Sequence, residues 1–310
     1  MVQILRHRCS TNAELPGISA GSEIFGLPHE KLVGQSLKDL IKPEDYCKIV
    51  EETTKRKQKI KSTYDIEIIR PDGTKRILLI TATPRYSQEG EYIGSLGVFR
   101  DITERKRADE NLKRSYEQLK NVLEETITSL STALGKRDPY TLGHQNRVTK
   151  LACAIAEELR LSKEQIEGIR VAGLLHDIGK LHIPSEILVK PAKLTVPEFE
   201  IIKTHPQAGY EIIKGIEFPW PVANIVLQHH EKLDGSGYPK GLKDQEILFE
   251  SKILTVADVT EAMSSHRPYR PSLGLSAALD DIVHNAGKLY DKEVAMLCHK
   301  LFKEADFKFD

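Results

Sequence analysis

The stretch IEGIRVAGLLHDIGK, residues 166–180, reads as a helix that buries one face and ends in chemistry. Apolar or small residues fall at Ile166, Ile169 and Gly173, and the next position on that stripe is His176. The steps of three and four are those of one helix face. The side turned to the core therefore closes on an imidazole, with Asp177 beside it. A lone inward histidine is ordinarily a hydrogen-bonded core residue, but here the pattern recurs.

His144 shares a helical face with Val148, Leu151 and Ile155. His229 and His230 end a segment whose inner positions are Val222, Ile225 and Val226, and Asp258 lies on a stripe with Leu254 and Ala262. His205 opens a segment that continues to Tyr210 and Ile213. Burying so many ionisable groups without partners would be prohibitively costly, and convergence on divalent cations removes that cost. The donors are imidazoles and carboxylates without thiolate, which suits an open catalytic site for Fe, Mn, Co or Zn more than a closed structural zinc. Seven such donors are too many for one ion and suit two ions bridged by a carboxylate. Adjacent histidines on a helix point about 100° apart, so His229 and His230 need not bind alike. A pair of cations can activate water and polarise a phosphoryl oxygen, which is what phosphodiester hydrolysis requires.

Outward from this core the chain divides into three parts: a small α+β unit over residues 1–103, a helical linker over 104–134 and an all-α helical bundle over 135–310. Helices are expected over 144–159, 163–176, 196–214, 219–230, 251–264, 276–286 and 292–302. In the linker, Leu112, Tyr116, Leu119, Leu123, Thr126, Leu130 and Ala133 fall at alternating steps of four and three, a heptad seam. The same seam would also serve a helix packed on its own chain; its place between two domains favours a parallel dimeric coiled coil. Upstream, Pro43 followed by two acids opens a helix. Three strands are expected over 62–69, 75–84 and 92–101, the first two joined by the PDGT turn at 71–74. No first strand is legible before Pro16.

The bulk numbers exclude several classes. Hydrophobic residues make up 40% and charged residues 29% of the 310, ordinary for a globular protein. No apolar run nears the roughly 20 residues of a membrane span, and no signal-peptide core is present, so the expectation is a cytoplasmic protein without a membrane partner. A net charge of zero gives no support to binding a nucleic-acid polymer. Cys9, Cys47, Cys153 and Cys298 are scattered and predict reduced thiols rather than a zinc ribbon or a disulfide frame.

Five segments, GHQNRV (143–148), HDIGK (176–180), KTHPQAGYEII (203–213), QHHEKLDGSGYP (228–239) and VADVTEAMSSHRPYR (256–270), together resemble the HD-GYP family, bacterial metal-dependent phosphodiesterases of cyclic di-GMP. The resemblance covers nearly all of residues 135–303. It implies that His144, His176, Asp177 and Asp258 hold one metal, and that Asp177 bridges to a second held by His205, His229 and His230. The ions would be Fe or Mn, with Zn, Co or Ni as alternatives. Lys180 would act on the scissile phosphate or the departing oxygen beside Asp177. Arg267 and Arg270 would grip ligand phosphates, with Tyr238 and Gly237 near the ligand. Some members carry a third-metal glutamate four residues before the first histidine; Tyr140 stands there, which predicts two ions and makes pGpG a plausible end product ahead of GMP. The segments EIFGLPHEKLVGQSLKDLIKPED (23–45), RPDGTKR (70–76) and GVFRDITERKRAD (97–109) resemble the second half and exit of a PAS domain, implying a sensor with an antiparallel sheet. The implied protein is a homodimeric, sensor-regulated cyclic di-GMP phosphodiesterase open to signalling-protein partners. Two alternatives use the same residues: a phosphohydrolase of another nucleotide, and a weakly active metal-bearing scaffold.

Overall fold

The computed structural model describes residues 3–6, 18–32, 41–137, 141–266 and 272–309. The chain forms two units, Met1–Leu119 and Lys120–Asp310.

In the first unit, α1 (Ile18–Phe25), α2 (His29–Leu32) and α3 (Pro43–Lys57) accompany an antiparallel sheet of β1 (Gln3–Arg6), β2 (Ser62–Ile69), β3 (Lys75–Tyr86) and β4 (Tyr92–Asp101), in the order β1-β4-β3-β2. Alternation sets the register: Tyr64, Ile66 and Ile68 are buried, as are Leu78 and Ile80 on the facing strand. The β2–β3 turn closes because Asp72 accepts from the Thr74 amide at 2.8 Å and Gly73 takes a φ of +81°. Phe25, Ile41 and Phe99 complete this core. The unexpected strand is β1, paired with β4 from Gln3↔Phe99 to Arg6↔Leu96. Four residues are too few to show alternation, and the exposed edge of β4 supplies the pairing.

Asp101 then turns β4 into α4 (Thr103–Arg137), accepting from the Thr103 amide at 2.9 Å. Within the second unit this helix buries Ile127, Ser131 and Leu134. The predicted seam lies on other faces: Leu112, Tyr116 and Leu119 are about 70% exposed.

The second unit continues with α5 (Thr141–Glu158), α6 (Lys163–Leu175), α7 (Ser185–Leu188), α8 (Val196–Ile202), α9 (His205–Ile213), α10 (Val222–Gln228), α11 (Phe249–Ser264), α12 (Leu275–His284) and α13 (Lys292–Glu304). Its core joins Val148, Leu151 and Ile155 of α5, Ile169 and Leu175 of α6, Ile225 and Val226 of α10, and Ile253 and Leu254 of α11. Ser162 and Gln165 form a capping box that starts α6. The single helix expected over 196–214 is broken at Lys203–Thr204 into α8 and α9. Pro206 is the cause: it has no amide hydrogen to give the Ile202 carbonyl, and its ring crowds that oxygen.

Candidate metal centre

The seven predicted ligands converge inside the second unit from five places: the first turn of α5, the end of α6, the α8–α9 break, the end of α10 and the middle of α11. His144, His176, Asp177, His205, His229 and Asp258 are all buried, and His230 is nearly so. Three groups of donor atoms lie close enough to share an ion: His144, His176 and Asp258; His176, Asp177 and His229; and His205, His229 and His230. Asp177 stands between the first group and the last. Its Oδ2 is 3.5 Å from His176 Nε2 and 3.9 Å from His144 Nε2, and its Oδ1 is 3.4 Å from His205 Nε2. Asp258 likewise lies 3.1 Å from His144 Nε2 and 3.6 Å from His230 Nδ1.

Helix ends orient three of the rings. His176 and His229 cap α6 and α10, where the last carbonyls have no helical partner. The two rings donate Nδ1–H to Gly173 O at 2.7 Å and Val226 O at 2.6 Å. His205 donates to Ile202 O at 2.8 Å, the carbonyl that Pro206 sets free. A carbonyl only accepts, so each proton sits on Nδ1 and each Nε2 presents a lone pair. His205 Nε2 and His229 Nε2 face one another at 3.2 Å, and His176 Nε2 has no hydrogen-bond partner among the described residues. Neutral nitrogens aimed at one another and at two carboxylates fit divalent cations.

The electrostatics agree. Burial lowers the His205 imidazolium to about 4 and that of His229 to about 3, and it holds His176 and His230 below their usual range. Burial would raise Asp177, but Lys180 and the surrounding histidines outweigh it and keep the carboxyl well below the ordinary value. Lys180 is itself nearly buried, its Nζ 2.7 Å from Asp177 Oδ2. Gly179 lets the turn after α6 lie directly against α9: a Cβ there would lie 1.9 Å from the His205 carbonyl oxygen.

The GYP loop docks on the cluster through Tyr238, whose ring lies 4.7 Å from that of His230 at an interplanar angle of 33°. Gly237 has no alternative, since a Cβ would meet the Glu231 main chain at 2.4 Å. Glu231, to which the sequence assigns no ligand role, is the loop's anchor. Fully buried, it accepts from the Lys240 and Leu242 amides at 2.8 and 2.9 Å. Lys232 was also missed: its ammonium sits 4.4 Å above the Tyr290 ring, and burial lowers it to about 8. A groove of about 770 Å³ runs beside Tyr238 and Pro239, bordered by His182, Lys203, Thr204 and Gln207. Arg267, Arg270 and Tyr140 lie outside the described residues.

Comparison with known proteins gives two family matches: the HD domain over residues 128–294 and the PAS domain over residues 19–104. A cyclic di-GMP phosphodiesterase response regulator of Xanthomonas campestris pv. campestris is 40% identical over 185 residues, 59% of this chain and 49% of that protein. A cyclic di-GMP phosphodiesterase of Thermotoga maritima is 42% identical over 191 residues, 61% and 52% of the two chains. A 3'3'-cGAMP-specific phosphodiesterase of Vibrio cholerae is 36% identical over 183 residues, 59% and 39%. The chain thus spans about half the length of the first two curated relatives it matches.

Proposed function

The chain belongs to the HD-domain family, and from that premise we propose that it is a metal-dependent phosphodiesterase hydrolysing cyclic di-GMP to pGpG, with GMP as the product of complete hydrolysis. The observation that carries this reading is the convergence of five histidines and two aspartates, with three Nε2 lone pairs turned inward by main-chain acceptors. His144, His176, Asp177 and Asp258 would hold one divalent ion, and Asp177, His205, His229 and His230 the other, Fe or Mn before Zn, Co or Ni. When bound, such ions supply positive charge for phosphoryl oxygens and make water nucleophilic at neutral pH.

The chain's own residues do the rest. Buried His205 and His229 stay neutral at physiological pH, so protons do not compete for their lone pairs. Lys180, held at 2.7 Å by Asp177, places its Nζ at the cluster to act on the phosphate and the departing oxygen. Tyr238 and Gly237 set the loop against His230, and Arg267 and Arg270 grip substrate phosphates in the fork geometry that arginine provides. The relatives named for cyclic di-GMP favour that substrate, and the relative named for 3'3'-cGAMP makes that dinucleotide the competitor to measure beside it.

Residues 1–103 act as a PAS-type sensor, 104–134 as the signalling linker and 135–310 as the hydrolase. Exposed Leu112, Tyr116 and Leu119 on the linker support a homodimer through that helix. Among the described residues no helix is long and apolar enough to cross a membrane, in keeping with a cytoplasmic protein. The test is hydrolysis of cyclic di-GMP and 3'3'-cGAMP by Mn-loaded protein, with products separated by chromatography. Conversion of cyclic di-GMP that disappears in Asp177→Ala, and that drops in kcat with metal retained in Lys180→Ala, is the expected result. Absence of turnover with full metal loading would leave a scaffold.

A further inference from the structure

Two helices each carry a predicted ligand followed three residues later by a charged side chain: His144 and Arg147 on α5, Asp258 and Glu261 on α11. Residues three apart share a helix face, and here the two faces meet. His144 Nε2 lies 3.1 Å from Asp258 Oδ1, while its Nδ1 is hydrogen-bonded to Glu261 Oε2. The other oxygen of Glu261 accepts from Arg147 Nε at 2.7 Å and from Ser265 Oγ at 2.6 Å. Glu261 is fully buried and lies 117 residues from His144 in sequence.

His144 therefore differs from the other ring-oriented ligands. His176, His205 and His229 use main-chain carbonyls that a helix end or Pro206 leaves available. His144 stands in the first turn of α5, and the start of a helix leaves amides rather than carbonyls without a partner. It is also the ring with a carboxylate at each nitrogen, so two acceptors compete for its single neutral-state proton. A proton on Nε2 would be donated to Asp258, which removes one ligand and ties up a second.

We propose that Glu261 is the positioning residue of this centre: it keeps the His144 proton on Nδ1, so that Nε2 and Asp258 are both presented to a cation, and Arg147 with Ser265 holds the carboxylate in place. The cation rests on the metal-binding reading above; the tautomer does not. Outer partners of metal-bound histidines typically change affinity by about 10- to 100-fold.

The test is made on the full chain. Long-range ¹⁵N–¹H spectra of histidine-labelled, metal-free protein should place the His144 proton on Nδ1, and Glu261→Ala should move it to Nε2 while His176, His205 and His229 keep theirs. In Mn(II) titrations against a competing chelator, the same variant should lose about 10- to 100-fold in affinity at one ion while the other is unchanged. Arg147→Ala, which leaves the acceptor but frees it, should shift both readouts in the same direction by less, and it carries the test if Glu261→Ala does not fold. An Nδ1-protonated His144 and native Mn(II) affinity in the variants would overturn the proposal. Failure of the native protein to bind Mn(II) at all would overturn the metal-binding reading instead, and the tautomer measurement would still stand.

Discussion

The two units treat charge in opposite ways. In the first, Asp65 sits between Lys48 and Lys106 at 2.9 and 3.1 Å, and Glu67 between Lys42 and Lys75 at 2.8 and 3.2 Å, all partly exposed. Such pairs contribute about 0–1 kcal/mol each, because water already solvates both partners. In the second, His144, His176, Asp177, Lys180, His205, His229, Asp258 and Glu261 are buried together. Desolvating that many ionisable groups does not stabilise a fold by itself, since apolar residues of the same volume would serve as well or better. The first unit has a charge pattern that folding alone explains. The second has one that the proposed cations would account for.

The sharpest way to break the second pattern is Gly179→Ala. The added methyl meets the His205 carbonyl and the Gly209 amide, main-chain atoms that cannot yield, so the Ile178–His182 turn must leave α9. We expect a loss of about 3 kcal/mol or more, with metal binding and turnover lost together; a thermal melt and elemental analysis on one sample check both. A native-like melt would mean that the contact is looser than described.

Acid should act next most strongly. In the folded protein His205 and His229 take up protons only near about 4 and about 3. Unfolded histidines do so near 6.5, so between those values the unfolded state binds more protons and stability rises with pH. Metal-free protein should therefore lose thermal stability as pH falls from about 6.5 towards 4, and bound Mn(II) should lessen the loss at the upper end of that range. A flat profile would mean that these rings are hydrated.

The smallest effect is expected from Asp65→Asn. It removes a carboxyl that its two lysines hold at about 2, but at a partly exposed site, so the cost should stay below about 1 kcal/mol. Mn(II) affinity should not change. A large loss would mean that the first unit's charges matter more than their exposure indicates.

Much of this is legible in the sequence. Period-two alternation and the PDGT turn placed β2 and β3, and the stripe through Ile166, Ile169 and Gly173 brought His176 to the core. Both signals are local, because side-chain direction repeats with the backbone's own period. The failures were local signals too weak or misleading: four residues of β1 carry no period, and the run over 196–214 looked continuous although Pro206 divides it.

The sequence by itself determined which residues turn inward and what chemistry they offer, since periodicity and residue type need no partner to be read. Only the tertiary structure decided who holds them. It set Glu261 against His144 across 117 residues, made Glu231 the anchor of the Tyr238 loop, and gave His205 the carbonyl freed by Pro206. A hydrogen bond depends on where two atoms meet in space, and helices far apart in the chain meet only once the core has packed.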